Sequence, residues 1–257
     1  MKRLNIIFIS IILIFSLFIV TTYKKNSTIP NNDESSIVSS TPSNNKMIYL
    51  TFDDGPSDNT IKILNLLDKY EIQATFFVVG PSYKQKNDLL LEIVNRGHKL
   101  AIHSYSHEYQ KIYKSKEAYL EDFYRCYNWI KELTNISPTL YRFPGGSSTT
   151  ITSKSLIEAI IIELEANGFK HVDWNVDSFD SHYNEDIDAI TTTTLSTISH
   201  NENNKIYSQT ILFHDNSKKK ATLLALSTVI EKCLSSGYKF ETLNNQSKLI
   251  QHVKKPT

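Results

Sequence analysis

Ile48-Tyr49-Leu50-Thr51-Phe52-Asp53-Asp54-Gly55 sets two adjacent carboxylates at the end of an apolar strand. Side chains alternate faces along a strand, so neighbouring acids at its end can take different jobs, one binding a metal and the other handling a proton. The competing reading is a plain turn with solvated Asp and a glycine at positive φ. Downstream, His103-Ser104-Tyr105-Ser106-His107 offers two imidazoles four residues apart, a spacing that can grip one ion but also arises by accident on surfaces. Asp, His and His together make a donor set suited to an open catalytic metal site.

Working outward, strand-like runs fall at 48–52, 75–79, 99–103, 140–143, 172–176, 210–213 and 238–241. Helical patterns separate them at 61–70, 89–96, 117–133, 155–167, 186–198 and 223–234. Gly97, Gly168 and Gly237 each follow a helical run, where a C-cap is needed. This alternation implies an α/β fold with a parallel sheet, and about seven βα units suggest a closed or nearly closed barrel, with a doubly wound open sheet as the alternative. Polar clusters recur at the strand ends: Asp53-Asp54, His103 with His107, Arg142 to Gly146, Asp177 with Asp180, and His214-Asp215. In α/β barrels these ends gather on one rim, and that rim carries the active site. Each cluster has a bland explanation, as an ion pair, loop solvator or core histidine, but their shared position argues for one site.

The chain has 257 residues, 40% hydrophobic and 21% charged, enough for one sizeable core. With 28 Lys+Arg against 27 Asp+Glu, the net charge of +1 supplies no basic field for nucleic acid. Lys2 and Arg3 precede an apolar run from Leu4 to Val20, just long enough to span a bilayer as a helix. No Ala-x-Ala-like cleavage site follows it and no Cys is placed for a lipid anchor, so residues 1–23 read as an uncleaved transmembrane signal-anchor rather than a cleaved signal peptide. Lys24 and Lys25 nearly balance the N-terminal charges, but a long domain after a lone helix favours the C-terminus outside. The expected location is therefore the cell membrane, single-pass, with the catalytic domain extracytoplasmic. Residues 24–46 are a Ser/Thr/Asn/Pro tether, the domain runs from Met47 to about Leu243, and 244–257 read as a polar tail. Cys126 and Cys233 sit on helical apolar patterns and read as buried hydrophobes, not a disulfide.

The ordered set Thr51-Phe52-Asp53-Asp54-Gly55, His103-Ser104-Tyr105-Ser106-His107, Arg142-Phe143-Pro144-Gly145-Gly146, Asp177-Ser178-Phe179-Asp180 and Leu212-Phe213-His214 resembles the polysaccharide deacetylases of the NodB-homology type, carbohydrate esterase family four. The resemblance covers Met47 to Leu243, and the Arg-Phe-Pro-Gly-Gly-Ser and Asp-Trp-Asn-Val-Asp-Ser runs look most like peptidoglycan deacetylases of Gram-positive bacteria. It implies a distorted (β/α) barrel that hydrolyses N-acetyl groups on sugars with a divalent ion, usually zinc, with cobalt or manganese as substitutes. By motif match, Asp54, His103 and His107 would hold the ion, Asp53 would be the base and His214 the acid. Arg142 would hold Asp53, Asp180 would tune His214, the Gly145 N–H would face the oxyanion and Leu212 would line the acetyl pocket.

An amide carbonyl is a poor electrophile and water a poor nucleophile at neutral pH, which is the chemistry an open metal site suits. Two positions depart from the common pattern: Gly145 stands where an aromatic residue often follows the proline, and Ser181 where a tryptophan often follows the aspartate. Trp174 or Phe179 is the expected replacement wall. The expected substrate is a cell-wall glycan, N-acetylglucosamine or N-acetylmuramic acid of peptidoglycan, and the expected state is a monomer. Chitin oligomers, O-deacetylation of another polysaccharide, or wall binding without turnover are the rival readings.

Overall fold

Strand alternation decides which side chains enter the barrel. In the computed structural model, which describes residues 46–81, 85–183, 185–216 and 220–256, the strands are β1 Met47–Asp53, β2 Thr75–Val79, β3 Lys99–Ser104, β4 Leu140–Tyr141, β5 Lys170–His171, β6 Val176–Asp177, β7 Ser208–His214 and β8 Lys239–Phe240. The helices are α1 Thr60–Lys69, α2 Gln85–Asn95, α3 Tyr109–Ile112, α4 Lys116–Thr134, α5 Lys154–Ala166, α6 Asp180–Tyr183, α7 Ile187–Asn203 and α8 Lys220–Ser235. Ile48, Leu50 and Phe52 of β1, Phe76 and Val78 of β2, and Leu100 and Ile102 of β3 join the large cluster under the helices. The alternate residues Tyr49, Phe77, Ala101 and Leu140, with Val172 and Leu243, form a second, smaller cluster on the opposite face of the sheet. Each fully buried Leu, Ile or Phe contributes about 1.5–3 kcal/mol, so the outer layer dominates stability and the inner face is left for function near its C-terminal end.

All ladders are parallel, and the sheet runs β5-β4-β3-β2-β1-β7-β6, with β8 against the first residues of β1. The two edge strands, β5 and β6, are consecutive in sequence and separated only by Val172, Asp173, Trp174 and Asn175. At about 3.5 Å per residue this link cannot exceed roughly 18 Å, so the sheet must curl until its edges face each other. The result, among the described residues, is a distorted barrel with an unladdered seam between β5 and β6.

The single strand expected at 172–176 is replaced by this seam. Its polar groups take other partners: the Val172 and Asp173 carbonyls accept from Arg142 at 2.9 and 3.1 Å. The Asn175 side chain bonds the Thr210 N–H and the Ser208 carbonyl. The other expected strands and helices are present with ends shifted by a few residues.

Ser115, Ser153 and Asp186 cap α4, α5 and α7 through side-chain oxygens, each worth about 1 kcal/mol. Gly97, Gly168 and Gly237 adopt φ of +81°, +85° and +81°, the left-handed C-cap conformation. Cys126 and Cys233 are buried and unbridged, as their periodicity implies.

The segment read as a polar tail belongs to the fold. Leu243 is fully buried, Leu249 packs against the inner cluster, and the Ile250 carbonyl accepts the Asp173 N–H at 2.7 Å. Two leucines, backbone groups and the Gln251 and His252 side chains dock this segment, contacts that its polar composition does not signal. The transmembrane helix and tether expected before Lys46 lie outside the described residues, and among the described residues no helix is long and apolar enough to cross a membrane.

Candidate active site

Period-2 alternation sends Asp53 of β1, His103 of β3, Arg142 just after β4 and His214 of β7 to the inner face at the C-terminal strand ends. Asp54 and His107 lie just beyond their strands at φ +74° and +56°. Non-glycine residues adopt this left-handed conformation at a cost, and two of them here turn their side chains to a common point. Asp54 Oδ1 is 3.7 Å from His103 Nε2 and 3.3 Å from His107 Nε2. Donor atoms of all three lie within 4.8 Å of one another.

The His103 Nδ1 is 2.9 Å from the Arg142 carbonyl oxygen. That oxygen can only accept, so Nδ1 carries the proton and the Nε2 lone pair faces Asp54. Burial, then the nearby His107, holds the His103 pKa down at about 3, so the ring stays neutral. Bonds of about 2.0–2.1 Å at tetrahedral angles place donor atoms about 3.3 Å apart. Two imidazole nitrogens and one carboxylate at these spacings fit a divalent ion and leave positions open.

The histidine loop is held from behind. Asp122 of α4 accepts from the Ser104 hydroxyl at 2.5 Å and from the Tyr105 and Ser106 N–H groups at 2.7 and 2.8 Å. Ser104 Oγ in turn accepts the His107 N–H at 2.8 Å.

Asp53 divides its two oxygens. Oδ1 accepts from Arg142 Nη1 at 2.8 Å, while Oδ2 lies 3.8 Å from His103 Nε2 and faces the triad. Arg142 is fully buried and also donates to Thr51 Oγ1 and to the seam carbonyls. Burial raises the Asp53 pKa, opposed first by Arg142. His214 is the β7 register neighbour of Asp53. Its Nδ1 lies 2.6 Å from Asp180 Oδ1, and Asp180 Oδ2 accepts from the His214 N–H and from Thr222 Oγ1 at 3.0 and 2.7 Å. Burial opposes the His214 charge, but the Asp180 hydrogen bond and charge prevail and lift its pKa to about 9.

Gly55 is required by close approach rather than by positive φ, the conformation a plain turn would have given it. A Cβ there would lie 2.4 Å from Asp215 Oδ2, and Asp215 ties the Asp-Asp-Gly turn through Ser57 and Thr60 hydroxyls at 2.7 and 2.5 Å.

The sequence profile of the polysaccharide deacetylase family matches residues 40–160. A peptidoglycan-N-acetylglucosamine deacetylase of Bacillus cereus is 32% identical over 203 residues, covering 79% of this chain and 71% of the relative. This chain belongs to the polysaccharide deacetylase family. The fold agrees: the catalytic domain of a peptidoglycan N-acetylglucosamine deacetylase from Eubacterium rectale superposes with a TM-score of 0.75 at 31% identity, covering 88% of this chain and 97% of that one. A CE4 esterase of Streptococcus mutans gives a TM-score of 0.70 at 30% identity, over 78% of this chain and 87% of that one. The family is metal-dependent, and the Asp54, His103 and His107 donors supply a fitting triad.

In this deacetylase Leu212 is buried on β7, two residues before His214 and so on the same face. Gly145 is exposed at φ +80°, and its N–H has no hydrogen-bond partner among the described residues. A Cβ on Gly146 would lie 2.8 Å from the Trp174 ring, so Trp174 covers that glycine and sits 5.5 Å over the Arg142 guanidinium. Phe179 is instead exposed, its ring tilted at 54° to that of Tyr183 with centroids 6.2 Å apart. Sequence reasoning missed Asp122, Thr222, Asp173 and Tyr109. The Tyr109 ring packs edge-on to His107 at 5.2 Å and lies 3.5 Å from where a Gly145 Cβ would be. Only its position two residues after His107 could have signalled it; Asp122 and Thr222 sit on helices and carry no local signature.

Proposed function

We propose that this chain is a metal-dependent N-deacetylase acting on acetylated amino sugars of peptidoglycan. The observation that carries the reading is the division of Asp53: one oxygen clamped by buried Arg142, the other turned toward the Asp54, His103 and His107 donors. When bound, the divalent ion, for which zinc is our assignment with cobalt or manganese as substitutes, polarises the acetyl carbonyl and lowers the pKa of water.

The chain's own residues then do the proton work. Asp53 Oδ2 accepts the proton of the attacking water, and Arg142 fixes the carboxylate so that this oxygen alone is available. The Gly145 N–H donates to the developing oxyanion. With Nδ1 engaged by Asp180, His214 delivers its Nε2 proton to the leaving amine, without which the intermediate reverts. Water adds to the carbonyl, the C–N bond breaks, and acetate and a free amino sugar leave. Leu212 lines the pocket for the acetyl methyl, and Trp174 forms the sugar-side wall in place of the residues missing at Gly145 and Ser181. Peptidoglycan as substrate is supported by the relatives, which include Bacillus cereus and Listeria monocytogenes enzymes named as peptidoglycan-N-acetylglucosamine deacetylases. In the same reading residues 1–23 tether the domain outside the membrane.

The test is acetate release by the purified, zinc-loaded domain from peptidoglycan and from chitin oligomers. Release from peptidoglycan, lost in Asp53→Asn with metal content preserved, is expected. Turnover of chitin oligomers alone would reassign the substrate, and no release from either would overturn the activity.

A further inference from the structure

Among the described residues, the seam between β5 and β6 is where the barrel wall lacks a ladder, yet the base depends on it. Arg142 donates to the Val172 and Asp173 carbonyls and, with the same guanidinium, to Asp53. Any drift of residues 172–173 is therefore transmitted to Asp53 through one rigid planar group.

Chain from the C-terminal end lies along this seam. The Ile250 carbonyl accepts the Asp173 N–H at 2.7 Å, and the His252 N–H donates to Asp173 Oδ2 at 2.8 Å. His252 Nε2 is 2.7 Å from the Trp174 carbonyl, an obligate acceptor, so Nε2 carries the proton and Nδ1 accepts from Ser148 Oγ at 3.1 Å. The Val253 carbonyl pairs with His171 Nε2 at 2.8 Å, and the Val253 N–H donates to Ser147 Oγ at 3.0 Å. Ser147 itself donates twice to Asp173, at 2.8 and 2.5 Å. The His252 ring stands edge-on to Trp174 at 5.2 Å. One short segment thus grips β5, the seam, the tryptophan wall and the loop after Gly146.

We propose that residues 250–253 form a strap that replaces the missing β5–β6 pairing and positions both the Arg142–Asp53 pair and Trp174, with His252 as the positioning residue. The activity part rests on the deacetylase reading; the structural part does not. The strap works through hydrogen bonds to the backbone of Asp173 and Trp174 and to the side chains of His171, Asp173 and Ser147, so its loss loosens geometry more than it removes core. A misplacement of reacting groups by about 1 Å costs up to roughly a hundredfold in rate.

The experiment compares His252→Ala and His252→Gln in the full, zinc-loaded chain. Gln can restore the donor to the Trp174 carbonyl. His252→Ala should lower kcat by roughly tenfold and raise KM for peptidoglycan, with metal content unchanged, and His252→Gln should recover most of both. Independently of turnover, His252→Ala should speed amide exchange at Asp173 and Val253. In a Trp129→Phe background it should also shift Trp174 emission to longer wavelength. Parental kcat and KM in His252→Ala, or losses that match only its unfolded fraction, would overturn the positioning role. Unchanged exchange and emission would overturn the strap itself, whatever substrate the parent turns over.

Discussion

Replacing Asp180 by asparagine removes one charge at nearly constant volume and tests how the acid is set. Burial alone would push His214 below its ordinary value of 6.5; the Asp180 hydrogen bond and charge, with smaller help from Asp54 and Asp53, carry it to about 9. A rise of roughly 2.5 units corresponds to about 3 kcal/mol in favour of the charged ring. In the proposed mechanism the active form is protonated His214, so activity should fall as pH rises through its pKa, and lowering that pKa should move the basic limb of the profile to lower pH. If Asp180→Asn returns His214 to its ordinary 6.5, the protonated fraction at pH 8 drops from about nine-tenths to about 3%. A fall in kcat of roughly thirtyfold at pH 8 should therefore shrink to less than about twofold near pH 6. With a cation on the triad the contributions of Asp54 and Asp53 shrink and the parental limb lies below 9, but the Asp180 contribution remains. The assay is kcat against pH from 5 to 10 at verified metal content. A basic limb within half a unit of the parent, or an equal loss at every pH, refutes the reasoning.

His107→Ala should lower zinc occupancy and activity together while the apo protein melts near the parental temperature, since His107 lies at the rim; full metal content in the variant removes it from the donor set. Asp122→Ala takes away three hydrogen bonds behind the histidine loop and should weaken zinc binding by about 10–100-fold, read by competition with a chelator; parental affinity would show that the loop holds its own shape. Cells making the full chain should retain it in the membrane fraction with the domain open to added protease after wall removal. A shortened soluble form in the medium would mean that the N-terminal segment is cleaved.

Much of the site was legible because its residues follow apolar strands. Asp53, Asp54, His103 and His214 end runs whose periodicity marks them as strands, and parallel order puts such ends on one rim. Arg142 was legible as a strand-end residue, but its complete burial and its grip on the seam were not. The run at 172–176 has the composition of a strand and splits where Asp173 accepts the Ser147 N–H and Asn175 accepts the Thr210 N–H of β7, both on side-chain oxygens.

Local pattern, then, determined the βα alternation, the helix caps, the buried cysteines and the order of the candidate site motifs, since each depends on neighbours a few residues apart. Tertiary structure alone decided where the barrel opens, that Asp122 backs the histidine loop, and that residues 250–253 close the seam, His252 reaching Asp173 across 79 positions while Val253 reaches Ser147 of the neighbouring loop across 106. On the strap side those two contacts are made by backbone N–H groups, which nearly every residue carries, so they leave no mark in the sequence of the strap.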